Sequence, residues 1–281
     1  MRVQADRDPD ASPIHILDTS SSILILANPS HQTAFNARKH LIRMHLIDPL
    51  AELRFIASLL SSQHCAKHAE LWHHRRWLLG AVHDLSPTDA PGMNPSPRLQ
   101  FMSREALRQE LELISRACEL YPRNYFAWTH RLICIRSLFS DYLAGTDTID
   151  FVSVFCLEVV EVKGWIDRHV SDYSAIHYIL SLSRAAFQCG HSSLAEITIK
   201  ENLLGHAISL VQGYPTHEAL WMYIRMAFSI SDLWQTQQID QFIENFVHPL
   251  AHAQHSEIGV TDESTKVSQY ARQFLKRTGY T

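Results

Sequence analysis

The sequence predicts an all-α fold: a right-handed α-solenoid of about five helical hairpins, an α-α superhelix with a TPR-like crescent. Three observations carry this. Apolar residues recur at helical spacing, with no strand-period alternation. Turn formers are sparse, 9 Gly and 11 Pro in 281 residues, which favours long helices over many short strands. Above all, one segment recurs five times around an aromatic or apolar anchor, the mark of a repeat architecture.

The five copies are NPSHQTAFNARKHLI around Phe35, CAKHAELWHHRRWLL around Trp72 and YPRNYFAWTHRLICI around Trp128, then HVSDYSAIHYILSL around Ile176 and YPTHEALWMYIRMAF around Trp221. A helix-length apolar segment precedes each. In the second copy Asp48-Pro49 starts a helix, with Asp as the cap and Pro at the first helical position. Leu53, Ile56, Leu59 and Leu60 make its apolar stripe, polar 61–68 breaks the pattern, and a second helix runs through Trp72, Leu78 and Leu79. The third copy repeats the plan: a stripe of Leu107, Leu111, Ile114 and Ala117, a stop at Tyr121-Pro122, then Trp128, Leu132 and Ile135. A hairpin of this kind cannot bury its apolar faces alone, so neighbours stack.

Anchor-to-anchor steps are 37 residues (35 to 72), 56 (72 to 128), 48 (128 to 176) and 45 (176 to 221). The first is close to a bare hairpin period of roughly 34–40 residues. The second carries an insertion, and SPTDAPGMNPSP has the composition of a surface loop. The others allow longer helices, or loops at 141–150 and 189–193. Two further helices, about 236–250 and 263–277, cap the end. The expected organisation is a polar tail over 1–14, the repeat solenoid over 15–250 with a loop insertion at about 84–102, and a capping helix and tail over 251–281.

Composition excludes several classes. Lys+Arg 25 against Asp+Glu 29 gives −4, without the basic bias of a nucleic-acid binder. No apolar run approaches the roughly 18–20 residues of a membrane span, so none is expected. The polar, acidic start MRVQADRDPDASP suits neither a secretory signal nor a transit peptide. Five scattered Cys without a CxxC read as reduced thiols, and the expected compartment is cytoplasmic.

The fullest copy of the motif runs Pro122-Arg123-Asn124-Tyr125-Phe126-Ala127-Trp128-Thr129-His130-Arg131. Trp and the Arg three residues on share a helical face. Trp there fills the groove between hairpins, and Arg pairs with a carboxylate or caps a neighbouring helix. Aromatics and Arg are also enriched at interfaces. Trp72, His74, Arg75, Asn124, Trp128, His130, Arg131 and Trp221 are therefore candidates for a repeat or partner surface.

These N-x-Y-x-x-W-x-x-R hairpins resemble the protein prenyltransferase α-subunit repeat of farnesyl- and geranylgeranyltransferase α chains, over roughly residues 20–230. The match is similar in particular to the α-subunit repeat-containing subgroup, α chains of a third type of geranylgeranyltransferase. The resemblance implies a crescent wrapped around a Rab geranylgeranyltransferase-like β chain that holds the catalytic zinc and most of the isoprenoid pocket. It implies no cofactor on this chain, and contact with isoprenoid diphosphate and protein substrate through the heterodimer. It places a diphosphate-binding lysine five residues before the second Trp, at Lys67. The chemistry is apt, because a lysine beside a helix N-terminus is mildly unfavourable until an anion reverses the sign. A positioned cation there would stabilise the leaving diphosphate. By the same resemblance Tyr125 and Phe126 face the isoprenoid pocket.

The sequence also departs from the family. Ala69 stands where members have Tyr, Phe35 and Ile176 replace Trp, and Ile179 and Ile224 occupy Arg positions, with Arg225 shifted by one. These losses favour an alternative, a catalytically silent α-solenoid adaptor. His64, Cys65 and His68 have soft-ligand spacing but no assignable fourth ligand, so no metal site is expected. Asp172, with His169 and His177, reads as an N-terminal helix charge rather than a general base. No P-loop, dinucleotide fingerprint or nucleophile elbow is present.

Overall fold

A computed structural model describes residues 12–83, 103–143, 145, 150–188, 190, 192–200, 202–230, 236–252 and 262–280. Most of the expected N-terminal tail and the insertion at 84–102 lie outside the described residues. Among the described residues every regular element is helical. The helices pack as consecutive pairs, the arrangement of an α-solenoid, in two compact units, residues 1–145 and 146–281.

The first unit holds three hairpins: α1 (Pro13–Ala27) with α2 (Gln32–Arg43), α3 (Pro49–Leu60) with α4 (Ala69–His83), and α5 (Arg104–Leu120) with α6 (Tyr125–Leu143). The second holds α7 (Phe151–Arg168) with α8 (Tyr173–Gln188), α9 (Ser192–Lys200), α10 (Leu203–Gly213) with α11 (Glu218–Ile230), and the closing α12 (Thr236–Phe242), α13 (His248–Ala251) and α14 (Asp262–Thr278).

Helix starts follow cap chemistry. Asp48 accepts from the Leu50 and Ala51 amides with Pro49 at the first position, as the sequence predicts. Ser103 caps α5, and Asn124 and Asp172 accept from amides in the first turns of α6 and α8. Asp172 is therefore a cap, and it also accepts from Trp165 Nε1 at 3.1 Å. Two details differ from expectation. The stretch after Gln188 is not a simple loop, because α9 starts at Ser192 and packs on α7 and α8. Asn202, at φ 45°, then breaks the helical path and caps α10. Between α12 and α13 lies a π-helical turn, Ile243–Val247, in which the His248 amide reaches back to Ile243. Pro249 follows at once, and a proline there crowds the preceding turn and donates no hydrogen bond.

What couples successive hairpins in the first unit is a buried carboxylate. Glu52 of α3 accepts from Arg38 Nε of α2 at 2.8 and 2.9 Å and from His74 Nε2 of α4 at 2.9 Å. Arg38 also binds Asp18 at 2.8 Å and Ser22 at 2.7 Å, so one cluster ties α1 to α4. One step on, Glu110 of α5 accepts from Arg75 Nε of α4 at 2.8 Å and His130 Nε2 of α6 at 3.0 Å. Arg75 reaches the Leu53 carbonyl as well. Aromatic packing follows the same register: Phe35 lies 5.0 Å from His74, and Trp72 lies 5.3 Å from His130, centroid to centroid. In the second unit Glu158 has the same relation to Tyr178, whose hydroxyl replaces the histidine as donor.

Burial acts to raise the Glu110 carboxyl, but hydrogen bonds from His130 and the Arg75 charge outweigh it and hold it down to about 2. Glu52 is lowered in the same way, against burial, by Arg38 and His74. Burial drives both histidines downward, to the neutral form that still donates from Nε2. Their Nδ1 atoms have no partner, as suits a lone pair in an apolar surround.

Two predictions follow from these clusters. Removing Glu110 leaves the buried Arg75 charge without its carboxylate and His130 without its acceptor, so Glu110→Ala should cost about 3–5 kcal/mol in urea unfolding. The Glu110→Ala, Arg75→Met pair should cost clearly less than the sum of the two single changes. The second concerns pH. Because the folded histidines bind protons less readily than the unfolded ones, whose value is 6.5, stability is intact above that value and falls as pH drops from about 7 to 5. The Glu110 contribution stays intact over that interval and is lost only as pH falls from 4.5 towards 2. Urea midpoints across pH 7 to 5 should fall less steeply for His130→Gln, whose amide can still donate to Glu110.

Candidate functional site

The turn from residue 61 to 68, between α3 and α4, is a constructed loop. Its centre is the Ala66 carbonyl, which accepts two bonds: from Trp72 Nε1 at 2.8 Å and from Asn124 Nδ2 of the next hairpin at 2.7 Å. Asn124 can do this while capping α6, because its oxygen takes the Ala127 amide and its nitrogen remains free to donate. On the other side His68 Nδ1 meets Ser30 Oγ of the preceding hairpin at 2.9 Å, and Ser30 also donates to Glu70. Cys65 and Ala66 are buried by this arrangement.

The next residue, Lys67, points the other way. It is exposed, stands two residues before α4 begins, and its ammonium makes no bond or ion pair among the described residues. The Asn124–Ala66 bond joins the residue before Lys67 to the residue before Tyr125, across 58 positions of sequence. The lysine and Tyr125 thus flank one joint. Tyr125 is 57% exposed, its ring 5.5 Å from that of half-buried Phe126. Ala69, where a tyrosine would add a hydroxyl, is half-buried. The surroundings disfavour further positive charge: burial first, then His64 and Lys67, push His68 downward.

The other predicted residues lie elsewhere. Trp72, His74, Arg75, Asn124, Trp128, His130, Arg131 and Trp221 are all buried, none more than 5% exposed. Reading them as a partner surface is therefore corrected. Their shared helical face points inward, where Trp fills the space between helices and Arg meets a carboxylate. Arg131 lies over the Trp128 ring and donates to Ser115 at 3.0 Å. Trp221 repeats the loop bond of Trp72, donating to the Pro215 carbonyl at 2.8 Å. Ser171 and His217 likewise repeat the Ser30–His68 pair at 2.7 Å.

His64 and His68 lie 5.5 Å apart, ring centroid to centroid, but Cys65 is buried and His68 Nδ1 is committed to Ser30. Among the described residues no group of three or more His, Cys, Asp or Glu is placed to hold a metal ion. No helix among them is long and apolar enough to cross a membrane.

Glu52, Glu110 and the Ser–His pairs went unread in the sequence, though a signal existed. Glu52 is four residues before Ile56, and Glu110 four before Ile114, so each carboxylate sits inside an apolar stripe.

Repeated hairpins with an inward Trp and Arg, joined through shaped loops, define a helical-repeat protein of the α-solenoid class. The protein prenyltransferase alpha subunit repeat matches residues 49–82 and 107–138, the α3–α4 and α5–α6 hairpins. The chain is similar to protein prenyltransferase alpha subunit repeat-containing protein 1 of Danio rerio, 28% identical over 80% of this chain and 57% of that protein. The Homo sapiens protein of the same name is 28% identical over 80% of this chain and 63% of its own length. The geranylgeranyl transferase type-2 subunit alpha of Saccharomyces cerevisiae is 25% identical over 78% and 60%. The chain therefore spans about three fifths of the length of these relatives.

The Ala66 joint makes its own prediction. Asn124→Ser keeps a capping oxygen but loses the bond to Ala66. Hydrogen exchange at the amides of residues 65–68 should accelerate, while protection within α6 changes little. Unchanged exchange in the loop would mean that Trp72 alone holds it.

Proposed function

We propose that this chain is the α subunit of a heterodimeric protein prenyltransferase, active only with a β chain. The observation that carries this reading is the pairing of exposed Lys67 with a loop locked from both neighbouring hairpins. A lysine left without a partner at a helix start is set out for an anion. In the reaction proposed, a Cys of a protein substrate attacks C1 of an isoprenoid diphosphate. A thioether bond forms, the C1–O bond breaks, and the diphosphate leaves with the bonding pair. Lys67 stabilises the charge growing on that leaving group, and Tyr125 and Phe126 border the isoprenoid chain. Zinc on the β chain, once bound, supplies the lowered thiol pKa that makes the Cys a nucleophile. The name of the yeast relative, geranylgeranyl transferase type-2 subunit alpha, supports a geranylgeranyl donor, and the β partner proposed is of the Rab geranylgeranyltransferase kind. The proposed compartment is cytoplasmic.

A catalytically silent adaptor is the second reading. Ala69 favours it, since it removes a hydroxyl beside Lys67.

Co-expression with a Rab geranylgeranyltransferase β chain followed by size exclusion tests the first. A 1:1 complex supports the subunit, whereas a monomer that elutes apart from the β chain leaves the adaptor. Within the complex, Lys67→Ala should leave assembly intact and lower prenyl-transfer kcat about 100–1,000-fold, the order of losing one charge-stabilising donor. Unchanged turnover removes Lys67 from the mechanism.

A further inference from the structure

The fifth hairpin breaks the repeat in an informative way. Three residues after its anchor stands Ile224, fully buried, where the first three hairpins have an arginine. The next residue is Arg225. One helical position turns a side chain by about 100°, so this guanidinium leaves the interior face of α11. It lines a cavity of about 270 Å³ within the second unit, between α11, α14 and the start of α8.

Arg277, near the end of α14, lines the same cavity. Neither guanidinium has a carboxylate partner among the described residues. Partial burial and the charge of Arg277 both depress the Arg225 pKa, so the two cations feel one another. Like charges brought together without a counter-charge oppose folding, and an anion between them reverses the sign.

The other walls complete a binding site. Tyr173, Tyr270 and Gln273 contribute polar side chains that can donate hydrogen bonds. Trp221 and Phe274 make an apolar floor, their rings 6.0 Å apart in an edge-to-face contact. The Trp221 indole N–H is committed to Pro215, so the side chain offers a ligand only its ring. Glu218 also lines the cavity and leaves it one net positive charge. The volume falls below the roughly 300–1,000 Å³ of drug-sized sites, which limits the ligand to little more than a ring and its head group.

We propose that this cavity binds a small organic oxyanion, a phosphate or carboxylate held between Arg225 and Arg277 on an apolar body that rests against Trp221 and Phe274. The site lies in the opposite unit from Lys67 and is independent of the prenyltransferase reading.

Titration of the ¹⁵N-labelled full chain at low salt with phenyl phosphate, benzoate and inorganic phosphate tests it by NMR. One of the aromatic anions should shift the Trp221 indole N–H and the Arg225 side-chain signal in a saturable way. The tighter of the two identifies the head group. Arg225→Gln and Arg277→Gln should each weaken binding at least about tenfold, the order of a lost hydrogen bond to a charged group. Arg277 is exposed and repels Arg225, so its substitution should not lower the melting temperature, and weaker binding by that variant reports on the site rather than on unfolding. No saturable shift with either aromatic anion would overturn the proposal. So would affinity unaffected by both substitutions, or inorganic phosphate binding as tightly as the aromatic anions. The β chain is absent throughout, so either result leaves the heterodimer question standing.

Discussion

The first unit depends on a carboxylate placed where water cannot reach it. Glu52 and Glu110 are buried between consecutive hairpins, and each is neutralised by an arginine from the hairpin before and a histidine from its own. An unpaired charge in that position would unfold the unit, so the clusters fix which helix lies beside which, and in what register. Apolar stripes alone would tolerate sliding by a turn. A fork-shaped guanidinium on a two-oxygen acceptor does not, because its geometry is directional. Where the repeat weakens, the donor changes with it: Tyr178 replaces histidine at Glu158, and Ile179 fills the arginine position with apolar bulk.

The same directionality positions the candidate site. Asn124 acts at once as helix cap and as donor to the loop of the hairpin before it. Its bond to Ala66, with the parallel bond from Trp72, fixes the backbone from which Lys67 projects. The lysine side chain is exposed while its root is held. That suits a group that must meet an anion without being consumed by a structural ion pair. Ser30 and His68 brace the loop from the opposite side, so its placement requires three consecutive hairpins.

The two arginine sites show one residue type in two environments. Arg75 is buried, paired and structural, and its partner is held far below the usual carboxylate range. Arg225, moved by one position, is unpaired and lines a cavity. The difference lies in helical phase, since a shift of one residue carries a side chain from the hairpin interface to open space.

The sequence by itself determined the helices and their pairing. Period, caps such as Asp48-Pro49, and the spacing of Trp72 and Trp128 are local properties, written in residues a few positions apart. Lys67 is marked only by the family resemblance, which sets a lysine five residues before the second anchor. Sequence alone left the Trp and Arg positions with both an inward role and a partner-surface role, and could not choose between them because the acceptor is not near them in the chain. That acceptor, Glu110, lies 35 residues from Arg75 in the chain. Only the tertiary structure could decide that these side chains point inward, that Asn124 crosses to Ala66, and that Arg225 and Arg277 line one cavity. Each depends on which groups meet after the chain has packed, and hydrogen-bond partners 35 to 58 residues apart leave no periodic trace in the chain.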